Sequence, residues 1–117
     1  MNFKFIDKVK QEADYLEKHL FYGLKNLNDG FDAPGIKYFS EKDFEVVLGR
    51  VKSLGLGIMG IEPWKDGNYY GVETYESYTS DPTDPKWYMN CFIKFKKRGD
   101  TIDYAASYFI PEKLLEE

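Results

Sequence analysis

An Asp-Gly turn between an apolar run and a ring-rich run constrains this chain more than any other feature. The stretch Gly55–Asp84 reads GLGIMGIEPWKDGNYYGVETYESYTSDPTD. Gly57–Ile61 reads as a short buried strand. Lys65-Asp66-Gly67-Asn68 is hairpin chemistry, because Asp-Gly accepts the positive φ that a two-residue turn demands. Tyr69–Tyr78 is then the return strand. Alternation places Tyr70, Val72, Thr74, Glu76 and Tyr78 on one face, and Tyr69, Gly71, Glu73, Tyr75 and Ser77 on the other. Rings and carboxylates on both faces mark an edge strand or one lining a recognition surface. Pro63 has no amide hydrogen, so the first strand is expected to end there or to lie at an edge.

The remaining elements follow from periodicity and punctuation. Ile6, Val9, Ala13, Leu16, Leu20, Leu24 and Leu27 recur at spacings of three and four, which predicts a helix over 3–27, with Gly23 weakening its last turn. His19 falls off that stripe beside Lys18 and reads as a rim histidine, since no Asp or Ser stands three or four residues away. Residues 28–35 form a loop, and Ile36–Phe39 is a short strand. Ser40 is an N-cap with Asp43 as its capping-box partner. Phe44, Val47, Leu48, Val51 and Leu54 make the buried face of the helix it opens, and Gly55 ends that helix. Asp84 followed by Pro85 starts a third helix, running to about Arg98, with Trp87, Tyr88, Cys91, Phe92 and Phe95 on its apolar face. Thr101–Ile110 is a final strand, and Pro-Glu-Lys-Leu-Leu-Glu-Glu forms a terminal turn. The order α-β-α-β-β-α-β predicts one small α+β domain over residues 1–117, with a mostly antiparallel sheet and helices packed on one side.

A chain of 117 residues buries about two-thirds of its unfolded surface. It cannot hide all of its 21 Tyr, Phe and Trp rings, so some remain at the surface, where rings commonly bind partners. Its charge is uneven. Residues 62–84 hold six acids (Glu62, Asp66, Glu73, Glu76, Asp81, Asp84) against the single base Lys65, while residues 1–61 are neutral and 85–117 carry a net +1. The overall charge of −4 is therefore one acidic patch set among Trp64, Tyr69, Tyr70, Tyr75 and Tyr78. An acidic surface disfavours direct nucleic-acid binding, since phosphates need compensating cations. Lys94, Lys96, Lys97 and Arg98 read as a solvated helix end favoured by the macrodipole. The N-terminal residues lack the apolar core of a signal peptide and no run is long enough to span a bilayer, so the expected location is cytoplasmic, without membrane contact.

Catalytic constellations are sparse. Gly55-Leu56-Gly57-Ile58-Met59-Gly60 matches G-x-G-x-x-G, but a dinucleotide site needs a strand before it and a helix after it, and here the order is inverted. These glycines read instead as a helix stop and a point where a strand packs closely. Glu62, Glu73 and Glu76 are the available acid/base carboxylates, with Glu62 and Glu73 on adjacent strands. A glycosidase needs a deep sugar cleft, for which a chain this short leaves little room. Glu62, Asp66, Glu73 and Asp81 could offer oxygen ligands to a hard cation, but without any calcium-loop spacing. One Cys and one His make neither a disulfide nor a typical zinc site, and Cys91 reads as inert core. The expectation is a protein without catalysis, metal or cofactor.

Three segments carry a resemblance: Tyr38-Phe39-Ser40-Glu41-Lys42-Asp43-Phe44, Gly55-Leu56-Gly57-Ile58-Met59-Gly60-Ile61-Glu62-Pro63-Trp64, and Asp81-Pro82-Thr83-Asp84-Pro85-Lys86-Trp87-Tyr88. Together they resemble small bacterial immunity proteins, encoded beside polymorphic or contact-dependent growth-inhibition toxins that are often ribonucleases. The resemblance covers roughly residues 36–90. It implies a cytosolic inhibitor that binds one cognate toxin domain and performs no catalysis. It assigns no contact residue.

Physical reasoning supplies those candidates. Nuclease clefts are basic, and an acidic surface can occupy one and be steered to it, with rings providing contact area. The candidate partner-binding residues are Glu62, Trp64, Asp66, Tyr69, Tyr70, Glu73, Tyr75, Glu76 and Asp81. Two other classes stay open. One is a carbohydrate or small-ligand module stacking sugars on the hairpin rings. The other is an adaptor or weak homodimer pairing through a strand edge.

Overall fold

A computed structural model describes residues 3–65, 68–69, 71–99 and 101–115, without the side chains of residues 3–6 and 69. Its sheet is built around β2 (Gly57–Lys65), because the apolar run supplies a strand long enough to be paired on both sides. Along one edge, β2 runs antiparallel to β5 (Asp103–Phe109), from Gly57 opposite Phe109 to Trp64 opposite Asp103. Beyond β5 lies β1 (Phe39–Ser40). Along its other edge, β2 pairs with both β3 (Asn68–Tyr69) and β4 (Glu73–Thr74). With helices α1 (Phe3–Tyr15), α2 (Glu41–Leu54) and α3 (Pro85–Lys96), this is the expected α+β arrangement on an antiparallel sheet.

Register decides which residues face the helices. Ile61 stands opposite Ala106, and Pro63 opposite Tyr104, so these four share the inner face. There Tyr104 stacks on Phe44 of α2, with centroids 5.0 Å apart and planes 9° apart, and meets the rings of Phe92 and Phe95 of α3. Val47, Leu48, Val51, Trp87, Tyr88 and Cys91 complete this core. Gly60, Glu62, Trp64, Ala105 and Ser107 belong to the outer face. The loop after α1 covers part of that face, with Phe31 and Tyr38 packed on the Trp64 ring.

Local signals set several boundaries as read. The Ser40 hydroxyl accepts the Asp43 amide at 3.2 Å, and Gly55 closes α2 at φ 76°. Asp84 accepts the Lys86 amide at 2.9 Å, and Pro85 opens α3.

Other boundaries differ from the sequence reading. The first helix does not reach residue 27: α1 passes into a π-helical turn over Leu16–Leu20 and stops. Gly23 adopts φ 75°, and the Arg50 guanidinium takes the carbonyls of Leu20 and Tyr22 at 3.0 and 2.8 Å. The helix end is thus closed by a side chain thirty residues distant. Leu24 still packs against the core from the loop that follows.

β1 is Phe39–Ser40 rather than Ile36–Phe39, because Ile36 bonds back to Ala33 and the main chain of Tyr38 bonds to Asn26 and Leu27. β2 continues through Pro63 to Lys65, in the middle of the sheet. Gly60 and Ile61 pair with β4 and Trp64 and Lys65 with β3, so Pro63 falls in the gap, where no partner requires its amide. The single return strand is accordingly two short pieces. Gly71, at φ 109°, lies between them, and a 3-10 turn over Tyr75–Ser77 follows. α3 ends at Lys96, β5 spans only Asp103–Phe109, and the terminal turn is a 3-10 turn over Glu112–Leu114.

Candidate functional site

The acidic stretch divides by what each carboxylate already touches. Glu73 stands opposite Ile61 and therefore points toward the helix layer. Its Oε1 accepts the Lys94 ammonium at 2.8 Å and the Tyr78 hydroxyl at 2.6 Å. Lys94 first and Tyr78 second hold the Glu73 carboxyl below its ordinary range. Burial, reinforced by the bond to Glu73, pushes the Tyr78 phenol up to about 12. Asp84 is consumed as the cap of α3. Asp81 turns its Oδ1 onto the hydroxyl and amide of Thr83, at 2.7 and 2.9 Å, and these bonds lower its pKa.

Three acids remain available. Glu62, half-exposed on the outer face, stands opposite Ala105 and one diagonal from Asp103, whose own carboxyl is raised by burial. Glu76 is exposed on the 3-10 turn. Asp81 is exposed and keeps its Oδ2 for solvent. Among the described residues, none of these three is paired with a cation. Glu62 and Glu73 do sit on adjacent strands, but on opposite faces of the sheet, which separates them as an acid/base pair.

The rings divide in the same way. Trp64 is half-buried, with centroids 5.3 Å from Phe31 and 5.4 Å from Tyr38, and so helps close the outer face. Tyr75 packs partly against the core. Asp66 and Tyr70 lie outside the described residues, as does the side chain of Tyr69, whose main chain pairs with Trp64. Tyr78 emerges in their place. It is 40% exposed, covers Trp87 at 5.5 Å and reaches Glu73. The short distance between Tyr78 and Glu73 in sequence was the available signal, but only a turn over 75–77, not a continuous strand, lets the two side chains meet. Val72, at 37% exposure, adds an apolar neighbour in the same segment.

The other chemical candidates are quiet. Cys91 is fully buried, and burial pushes its thiol up to about 12, so no thiolate is offered at neutral pH. His19 is half-buried, and its ring lies 4.5 Å from that of Tyr15 beside an open groove lined by Gln11, Asp14, Lys18 and Leu114. Among the described residues no three His, Cys, Asp or Glu side chains converge as a metal site. Nor is any helix there long and apolar enough to cross a membrane. No protein-family model, curated protein or solved structure matches the chain.

The Glu73 cluster makes a pH prediction. A carboxyl with a lowered folded-state pKa contributes stability above its unfolded value, near 4.5, and loses it as pH falls through the folded value. Glu73→Gln is expected to flatten the acid limb of a stability-against-pH curve below that value, and to cost under about 1 kcal/mol at neutral pH, as a partly screened pair should. Urea midpoints collected across the acid range test this. An acid limb unchanged by the substitution would remove Glu73 from the account.

Proposed function

We propose that this chain is a non-catalytic cytoplasmic inhibitor of the immunity-protein kind, binding a basic protein partner through the exposed part of residues 62–81. The observation that carries the reading is the unanswered acidity there: Glu76 and Asp81 are exposed in the same segment as the exposed ring of Tyr78, Glu62 is half-exposed on the outer face of the sheet, and among the described residues none of the three forms an ion pair. Such a surface raises the encounter rate with a basic cleft and is selective against acidic partners. Tyr78 and Tyr75 are anchored from below by Trp87 and the core, so they offer contact area at little entropic cost. A nuclease toxin, whose cleft must hold phosphates, is the partner class that the resemblance and the charge favour together. A sugar-stacking module is less well served, because Phe31 and Tyr38 already cover the Trp64 ring.

The test is co-purification with the product of the adjacent upstream gene, then titration calorimetry at low and high salt. One-to-one binding that weakens with salt is expected. The combined variant Glu62→Lys, Glu76→Lys, Asp81→Lys is expected to lose on the order of 100-fold in affinity, mostly in association rate. Tight binding indifferent to salt and to these reversals would move the interface elsewhere. Failure to bind any neighbouring product would end the inhibitor reading.

A further inference from the structure

The edge of the sheet remote from the acids is unfinished. Among the described residues β1 pairs with β5 only at Tyr104 and Asp103, so Ala105–Phe109 has β2 on one side and no described strand on the other. Pro63 has no amide hydrogen to exchange with Tyr104, and the Ile58 amide turns away from β5 to the Pro82 carbonyl at 3.0 Å. With the alternation of an antiparallel ladder, both facts direct the main-chain groups of Ala106 and Tyr108 outward. No described residue bonds to those outward groups.

Natural sheets blunt such edges with charge, proline or a bulge. None of these occurs here. Tyr104-Ala105-Ala106-Ser107-Tyr108-Phe109-Ile110 carries no charge, glycine or proline, and the bulge of this ladder, at Met59, is on β2. We propose that this edge pairs with its own copy, forming a twofold antiparallel dimer centred on Ser107.

Symmetry favours that occupant. A twofold axis places each side chain near its own copy, so a charged edge would repel itself, and this one is neutral. Centring on Ser107 sets Ala106 of one copy opposite Tyr108 of the other and joins all the outward groups in four main-chain hydrogen bonds. That register stops short of Tyr104, which β1 occupies, and of Pro111. Phe109, which is 41% exposed, lies on the same face of the strand as Ser107 and adds apolar area beside the pair. β3 and β4 stay at the opposite edge, so each protomer keeps its acidic surface. An interface this small gives a weak, concentration-dependent dimer.

Sedimentation equilibrium of the full chain tests it, with mass expected to rise from monomer toward dimer as concentration increases. Ser107 is exposed, so Ser107→Lys leaves the monomer intact while placing two ammonium groups face to face, and it is expected to abolish the dimer. Ser107→Cys tests the register. Ser107 faces its copy as a pair without mutual hydrogen bonds, with Cβ atoms about 4.5–5.5 Å apart, near disulfide distance. Mild oxidation should therefore link two copies, whereas Cys91 is buried and Ser53→Cys, exposed on α2, should leave the chain monomeric on a non-reducing gel. A mass that stays monomeric at every concentration overturns the proposal. So does a dimer that survives Ser107→Lys, or equal cross-linking through positions 53 and 107.

Discussion

Trp87→Ala is expected to lower the unfolding free energy by about 4 kcal/mol, a large share of the roughly 5–15 kcal/mol typical of a domain. The indole is only 2% exposed and sits between Tyr78, at 5.5 Å, and Tyr88, at 6.4 Å. Its Nε1 donates to the Ile58 carbonyl at 3.2 Å, joining α3 to the central strand. Alanine would leave a cavity where the ring was and a buried carbonyl without its donor, and the two costs add. Trp87→Phe separates them. It keeps most of the apolar volume and loses the bond, so about 1–2 kcal/mol is expected. Urea unfolding monitored by far-UV circular dichroism measures both. A loss below about 1.5 kcal/mol for the alanine variant would contradict the core described here. The effect reaches the surface as well, since Tyr78 rests on Trp87. The alanine variant should loosen the 75–78 turn and, if the acidic surface binds a partner as proposed, weaken that binding further than its stability loss explains.

What could be read from sequence, and what could not, follows from the range of the interactions involved. Ser40, Gly55, Asp84 and Pro85 marked their helix ends because a cap is decided by a residue and its next few neighbours. The buried stripes of α2 and α3 were visible because helical period and one-sided burial coincide. The end of the first helix was hidden because its terminal carbonyls are taken by Arg50, from another helix. Pro63 misled for a similar reason. A proline is tolerated in a central strand where the neighbouring strand is interrupted, and only the sheet register reveals that gap.

The candidate site divides along the same line. Charge density along the chain was legible, and the structure leaves Glu76 and Asp81 exposed and Glu62 half-exposed. Which acids are already paired was not legible. Glu73 meets Lys94 across 21 positions, and Trp64 meets Phe31 and Tyr38 from a loop more than twenty residues upstream. A linear count of six acids therefore overstated the unpaired charge at the surface, and understated Tyr78.

Gly57→Ala is expected to cost about 2 kcal/mol, several times more than Gly60→Ala three positions along the same strand. A Cβ on Gly57 would stand 3.0 Å from both the carbonyl carbon and the carbonyl oxygen of Pro82, and 3.2 Å from Cγ2 of Thr83. The obstructing atoms are backbone, so they cannot rotate aside. Retreat of that backbone would stretch the 3.0 Å bond from the Ile58 amide to the same Pro82 carbonyl. At Gly60 the nearest atom, the Glu73 carbonyl oxygen, is 3.4 Å away and Ser107 Oγ is 3.6 Å away, so small adjustments suffice. Neither glycine needs a left-handed φ, so the contrast isolates close approach from backbone conformation. Urea midpoints give the two costs, and amide exchange at Ile58 should accelerate in the Gly57 variant alone. Equal costs would remove the tight contact as the reason for Gly57. The same loop carries Asp81, one residue before the displaced proline. If the acidic surface binds a partner as proposed, Gly57→Ala should weaken that binding even at temperatures where the domain remains folded, while Gly60→Ala should leave the contribution of Asp81 in place.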